Sequence, residues 1–188
     1  MIDFADDAQD LIAGYRRFRA SRYREARDVF YRLRDGQEPA TMIIACADSR
    51  ADPAMIFDAA PGELFTVRNV AALVPPYDES GGLHGVSAAL EFAVTRLKVK
   101  QIVVMGHGGC GGIAASLAAA ADRPVGRFIA PWVEIAADAR DAVLRDENVP
   151  RSDWQEAVEH GAVGLSLSNL LSFPFVREAH ERGELSMN

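Results

Sequence analysis

Two short, continuous apolar runs, TMIIACA over 41–47 and QIVVMGH over 101–107, constrain this chain more than any other feature. Neither has room for a helix, and neither alternates polar with apolar residues. Such runs suit strands covered on both faces, as in a parallel sheet. LFTVRNVA from Leu64 is a third candidate strand, with Pro61 and Gly62 supplying the turn before it. Between the second and third strands, Val86, Leu90, Ala93, Val94 and Leu97 recur at helical spacing and predict a crossover helix ending near Lys98. Further helical patterns follow Gly111 and occupy GRFIAPWVEIAADARDAVLRD and SDWQEAVEHGAVGLSLSNLLS. Strands alternating with helices predict an α/β fold, a central mostly parallel β-sheet flanked by helices. Functional residues of such folds gather beyond the carboxyl ends of the strands. CADSR and HGGCGG occupy that position.

Ahead of the first strand, from about residue 4 to residue 34, Leu11, Ile12, Tyr15, Phe18, Tyr23, Ala26, Phe30, Tyr31 and Leu33 recur at helical spacing among arginines. The pattern predicts an N-terminal helical arm of two amphipathic helices interrupted near Ser21. With no repeat or linker-like segment, 188 residues read as one domain, an arm over 1–35 and an α/β core over 36–188. A formal charge of -7 argues against a nucleic-acid partner, since such binding needs cations to neutralise phosphates. The acidic opening MIDFADDAQD lacks the basic start and apolar run of a secretory signal, and no apolar stretch approaches the roughly 20 residues that span a bilayer. A cytoplasmic protein without a membrane partner is expected. In a reducing compartment its two cysteines are expected to be free, catalytic or metal-binding rather than bridged.

Those cysteines flank the strongest chemical constellation. Cys46 ends the first predicted strand, and His107 and Cys110 follow the third. A His-x-x-Cys turn rich in glycine lets an imidazole and a thiolate face one ion, and Cys46 would close the site from the neighbouring strand. Two thiolates and one imidazole suit Zn²⁺, one per chain, and leave a fourth tetrahedral position open for catalysis. Spacing alone also allows buried, hydrophobe-like cysteines and a turn histidine. Asp48 can reach the metal or a water on it, while Arg50 offers a fork that grips a carboxylate at two points. Paired with Arg50, Asp48 leaves the fourth position free; bound to zinc, it shuts the site. A strand-end Asx turn with a surface ion pair is the other reading of these two residues.

With C-A-D-S-R at 46–50, P-G-E-L-F-x-V-R-N-V-A from Pro61 and G-H-x-x-C-G-G from Gly106, the chain resembles the β-class carbonic anhydrases, from the N-terminal helices to S-L-S-N-L-L-S-F-P-F-V-R-E. The resemblance implies a zinc lyase, a carbonate dehydratase that reversibly hydrates CO₂ to bicarbonate and a proton by attack of zinc-bound hydroxide. It implies Cys46, His107 and Cys110 as ligands, Asp48 and Arg50 as the catalytic dyad, and a homodimer or tetramer whose N-terminal helices wrap a partner. Gln37, nine residues before the first ligand, matches a glutamine that contacts substrate across the dimer interface in plant-like members. CO₂ also needs an apolar pocket; Phe65, Val70 and Phe92 are candidate walls, although core packing is the commoner role for each. A thiolate-rich site is expected to give an alkaline activity optimum. None of His84, His160 and His180 can be assigned as the proton shuttle.

Some relatives stabilise the closed state with a bicarbonate site built from a Trp, an Arg and a C-terminal Tyr. Here Ile43 stands at the first position, Arg68 matches the second, and the chain ends before the third, so an open, plant-like site with Asp48 paired to Arg50 is expected. The family's final edge strand is expected to be missing, and RNVAA stands where RNVAN is usual. Three rival readings accompany this one. Hydrolysis of carbonyl sulfide or carbon disulfide would use the same ligands. A non-catalytic CO₂ or bicarbonate-binding protein would keep Asp48 on zinc. GHGGCG also fits the outline of a dinucleotide-binding turn, but helix and proline residues follow where that fold needs a strand and an acidic residue.

Overall fold

The computed structural model describes residues 8–188, so the predicted start of the arm near residue 4 lies outside the described residues. The chain divides into two compact units, Met1–Gln37 and Glu38–Asn188.

The first unit carries α1 (Gln9–Ala20), α2 (Arg22–Glu25) and α3 (Arg27–Arg32), followed by a 3₁₀ turn at Leu33–Asp35. The predicted break at Ser21 is present: its hydroxyl donates back to the Arg17 carbonyl at 2.9 Å, and its backbone leaves the helical region at φ -117°, ψ -92°. A second break at Ala26 divides the remainder. Phe18, Tyr23 and Phe30 meet across these breaks with ring centroids 5.0 to 6.0 Å apart.

In the second unit four parallel strands, β1 (Thr41–Cys46), β2 (Leu64–Asn69), β3 (Gln101–Met105) and β4 (Ser186–Met187), stand in the order β2-β1-β3-β4. Met42 and Ile44 of β1 share a core cluster with Ile102 and Val104 of β3, while Ile43 and Ala45 are buried on the opposite face. This two-sided burial is what the continuous apolar run encodes. On β3 only Ile102 and Val104 are buried; Gln101, Val103 and Met105 are half-buried because that strand's second face is only partly covered.

Between β1 and β2 lies α4 (Pro53–Ile56), capped by the Asp52 carboxylate, which accepts from Met55 N–H at 3.1 Å. The predicted crossover helix is α5 (Gly85–Glu91), continued by a π-helical stretch to Leu97 and stopped by Lys98 in the left-handed region at φ 55°. After β3 come α6 (Gly111–Ala120), α7 (Ile129–Val133), α8 (Ala137–Arg145), α9 (Trp154–Leu170) and α10 (Pro174–Glu181). Val158, Ala162, Ser166 and Leu170 of α9 recur every four residues on its buried side. Phe173, just beyond α9, is 1% exposed and sits in the core with Leu170 and Val176 of α10. Burial of such a side chain contributes about 1.5–3 kcal/mol. Ser166 Oγ accepts from Val74 N–H, and Asn169 Nδ2 donates to the Val74 carbonyl, so α9 anchors the segment after β2. The pairing that orders the last residues is that of Ser186 with Gln101 and Met187 with Ile102. No helix of the described residues is long and apolar enough to cross a membrane.

Candidate metal centre

Cys46 and Asn69 are paired at the carboxyl ends of β1 and β2, and the ladder runs one step further as Ala47 N–H donates to the Asn69 carbonyl at 2.7 Å. The chain then turns sharply. Asp48 caps the turn Ser49–Ala51, its Oδ1 accepting from Arg50 N–H at 2.9 Å. The Arg50 side chain closes on the same carboxylate, Nε to Oδ1 at 3.0 Å and Nη2 to Oδ2 at 2.9 Å. Its Nη2 also donates to the Gly109 carbonyl at 3.0 Å, tying the CADSR turn to the glycine-rich turn after β3. The Arg50 guanidinium and backbone N–H hold the Asp48 carboxyl well below the usual carboxylate range.

Arg68 of β2 fixes this turn from beneath. Its Nε donates to the Cys46 carbonyl at 2.9 Å, Nη2 to the Asp48 carbonyl, and Nη1 to Asp52 Oδ2 at 2.8 Å. One planar fork thus positions a candidate ligand, the candidate catalytic carboxylate of Asp48 and the cap of α4.

On the other side, Gly109 adopts φ +65°, a left-handed conformation that bends the chain between His107 and Cys110. His107 Nδ1 lies 3.1 Å from the Gly108 carbonyl. Because a carbonyl only accepts, that geometry puts the proton on Nδ1 and leaves Nε2 with its lone pair. Nε2 is buried and has no hydrogen-bond partner among the described residues. Cys110, 3% exposed, occupies the N-cap position of α6. Burial pushes the Cys110 thiol up, and the backbone N–H groups of Ile113 and Gly112 oppose that rise.

The ligand atoms of Cys46, His107 and Cys110 all lie within 4.8 Å of one another. The two sulfurs are 3.9 Å apart and both cysteines are free, a separation far beyond the ~2.05 Å of a disulfide. Thiolates bound at ~2.3 Å to a tetrahedral ion stand ~3.8 Å apart, so the donor set fits zinc in spacing and in softness. The orphaned, buried Nε2 fits the same conclusion: a metal would supply its missing partner.

The other predicted site residues have different surroundings. Val70 opens the turn after β2, its carbonyl accepting from Trp132 Nε1 at 2.8 Å. Its side chain abuts Gly112, where an added Cβ would come within 2.6 Å of Val70 Cγ1, so Val70 stands beside the start of α6. Phe65 pairs with Met42, four residues before Cys46 on β1, which places it ~13 Å back along the sheet. It stacks on Phe92 with centroids 5.9 Å apart. Within one chain, register therefore keeps Phe65 and Phe92 away from the cysteines, and neither walls a pocket there. Gln37 is exposed at the end of the first unit.

A cavity of about 700 Å³ opens beside the glycine-rich turn, lined by residues that include His107, Ser152, Gln155, Glu159 and His160. His160 is thus the histidine nearest in setting to His107, whereas His84 faces Asp78 at 3.7 Å and His180 Nδ1 bonds the Leu185 carbonyl. Arg68 had no positional signal in the sequence for its hold on the CADSR turn, because its partners Cys46, Asp48 and Asp52 lie 22, 20 and 16 residues away.

The carbonic anhydrase family model matches residues 41–188. The chain belongs to the β-carbonic anhydrase family. Beta carbonic anhydrase 3 of Arabidopsis thaliana is 36% identical over 185 residues, covering 97% of this chain and 71% of that protein. Among solved structures, the β-carbonic anhydrase CcaA aligns with a TM-score of 0.90 at 31% identity, covering 97% of this chain and 82% of that one. A tetrameric β-carbonic anhydrase of Sordaria macrospora aligns at 0.79 and 26% identity, with 97% and 90% covered. The chain is thus an enzyme, a carbonic anhydrase, and CO₂ hydration in general terms comes with β-carbonic anhydrase membership.

Proposed function

We propose that this carbonic anhydrase reversibly hydrates CO₂ to bicarbonate and a proton, using one zinc ion held by Cys46, His107 and Cys110. The observation that carries the reading is that His107, whose buried Nε2 has no hydrogen-bond partner among the described residues, offers a ring nitrogen within 4.8 Å of two free sulfurs. When bound, zinc would supply the acidity that makes water nucleophilic near neutral pH.

Asp48 is the catalytic partner in this reading. Three hydrogen bonds from Arg50 fix its carboxylate, two on Oδ1 and one on Oδ2, so Oδ2 keeps acceptor capacity for the reacting water. Orientation of that water matters because CO₂ is small and offers few handles. Pairing with Arg50 also keeps Asp48 off the metal, which supports the open, plant-like state over a permanently closed, non-catalytic binder. Val70, beside α6, is the apolar contact this chain offers to CO₂. An oligomer in which a second copy brings Gln37 to the substrate accords with the tetrameric Sordaria relative. Free cysteines as ligands accord with a reducing compartment, the cytoplasm.

The test sets CO₂ hydration beside carbonyl sulfide hydrolysis on the zinc-replete enzyme, both by stopped flow. Rapid CO₂ hydration is expected. Negligible CO₂ hydration beside rapid carbonyl sulfide hydrolysis would replace the proposed substrate.

A further inference from the structure

Cys110 stands in an unusual backbone setting, with Gly108 and Gly109 before it and Gly111 and Gly112 after it. Its neighbours restrain φ and ψ less than any other residue type would. As the cap of α6 it also has an N–H outside the helix's own ladder. Something beyond the local chain must hold it. A metal site tolerates ligand errors of only ~0.2 Å.

The restraint comes from α9. Glu159 Oε1 accepts from Cys110 N–H at 2.7 Å and from Gln155 Nε2 at 3.0 Å, and Gln155 Nε2 reaches the Cys110 carbonyl at 3.4 Å. Both main-chain groups of the ligand are thereby engaged by one turn of helix. Glu159 is 8% exposed and is the sole buried carboxylate among the described residues. Burying a carboxylate is costly. The buried Arg140 is compensated by ion pairs to Glu134 and Asp141, whereas Glu159 has no ion pair among the described residues. What compensates Glu159 is the brace on Cys110.

Resting on the reading of Cys110 as a zinc ligand, we infer that Glu159, aligned by Gln155, is a positioning residue that fixes the Cys110 backbone so that its thiolate faces Cys46 and His107. The required property is an acceptor oxygen at Oε1. Outer partners of this kind typically change metal affinity by about 10–100-fold when removed.

The experiment titrates apoprotein with zinc against a chromophoric chelator and records the cobalt(II) spectrum, for wild type, Glu159→Ala, Glu159→Gln and Gln155→Leu. Glu159→Ala should weaken zinc by about 10–100-fold and alter the thiolate-to-cobalt bands. Glu159→Gln keeps an amide oxygen for Cys110 N–H and should stay within about threefold of wild type, with its cobalt spectrum restored. Gln155→Leu removes only the outer part of the brace and should weaken zinc by about 3–10-fold, which keeps the test open if Glu159→Ala does not fold. Wild-type affinity and spectrum in Glu159→Ala or Gln155→Leu would overturn the inference, as would a loss in Glu159→Gln equal to that in Glu159→Ala. Wild type that binds no zinc would instead remove the functional reading itself.

Discussion

At the scale of single residues, the centre depends on side chains that bind other loops as well as their own. Arg50 grips Asp48 and also reaches the Gly109 carbonyl, and Arg68 holds the carbonyls of Cys46 and Asp48. On the proposed mechanism, removing the Asp48 carboxylate takes away water orientation without removing a ligand. Asp48→Ala is therefore expected to keep its zinc and lose about 10²-fold in kcat/KM, read by metal analysis and stopped flow. Zinc loss in that variant would show that Asp48 holds the metal directly. The clustering of Cys46, His107 and Cys110 was legible in the sequence because two cysteines and a His-x-x-Cys turn are scarce and sit at strand ends. Glu159 was not, because its partner Cys110 lies 49 residues away and nothing in the sequence of α9 sets the buried Glu159 apart from the exposed Glu156. Strand register was not legible either: position in the chain does not show that Phe65 stands opposite Met42.

At the scale of elements, burial on both faces explains why β1 was readable as an apolar run, and the left-handed Lys98 explains where the crossover helix ends. The break at Ala26, α10 and β4 were not read: Ala26 carries no breaker chemistry, and β4 is a two-residue strand defined only by its pairing with β3. Contact between α6 and the turn after β2 is close enough to be tested. A Cβ on Gly112 would lie 2.6 Å from Val70 Cγ1 and 2.8 Å from Ala71 Cβ. Gly112→Ala is expected to cost about 1–3 kcal/mol of stability, measured by denaturant unfolding of the apoprotein. An unchanged midpoint would mean that the turn yields freely. Asp141 on α8 contributes through the buried Arg140, whose guanidinium holds the Asp141 carboxyl below its ordinary value. A lowered folded-state pKa gives stability that is full above the unfolded value near ~4 and is lost as pH falls through the folded one. Asp141 is partly exposed, so the gap between wild type and Asp141→Asn should be at most about 1 kcal/mol at pH 7 and should close below about pH 4. A gap that persists at pH 2 would assign the effect to packing instead.

At the scale of the whole molecule, a parallel sheet brings the ends of β1 and β3 together, and each end supplies part of the donor set. Within one chain, register holds Phe65 and Phe92 back from the cysteines. If a second copy contributes Gln37, activity should track the oligomer in sedimentation velocity, and a fully active monomer would refute the shared site. The central claim is that catalysis needs the metal held by Cys46, His107 and Cys110. Its most direct test is zinc content measured together with CO₂ hydration from pH 6 to 9, on the enzyme as purified, after chelation and after zinc is restored. The account predicts one zinc per chain, a rate that rises with pH, activity lost with the metal and regained with it; full hydration activity in metal-free protein would contradict it.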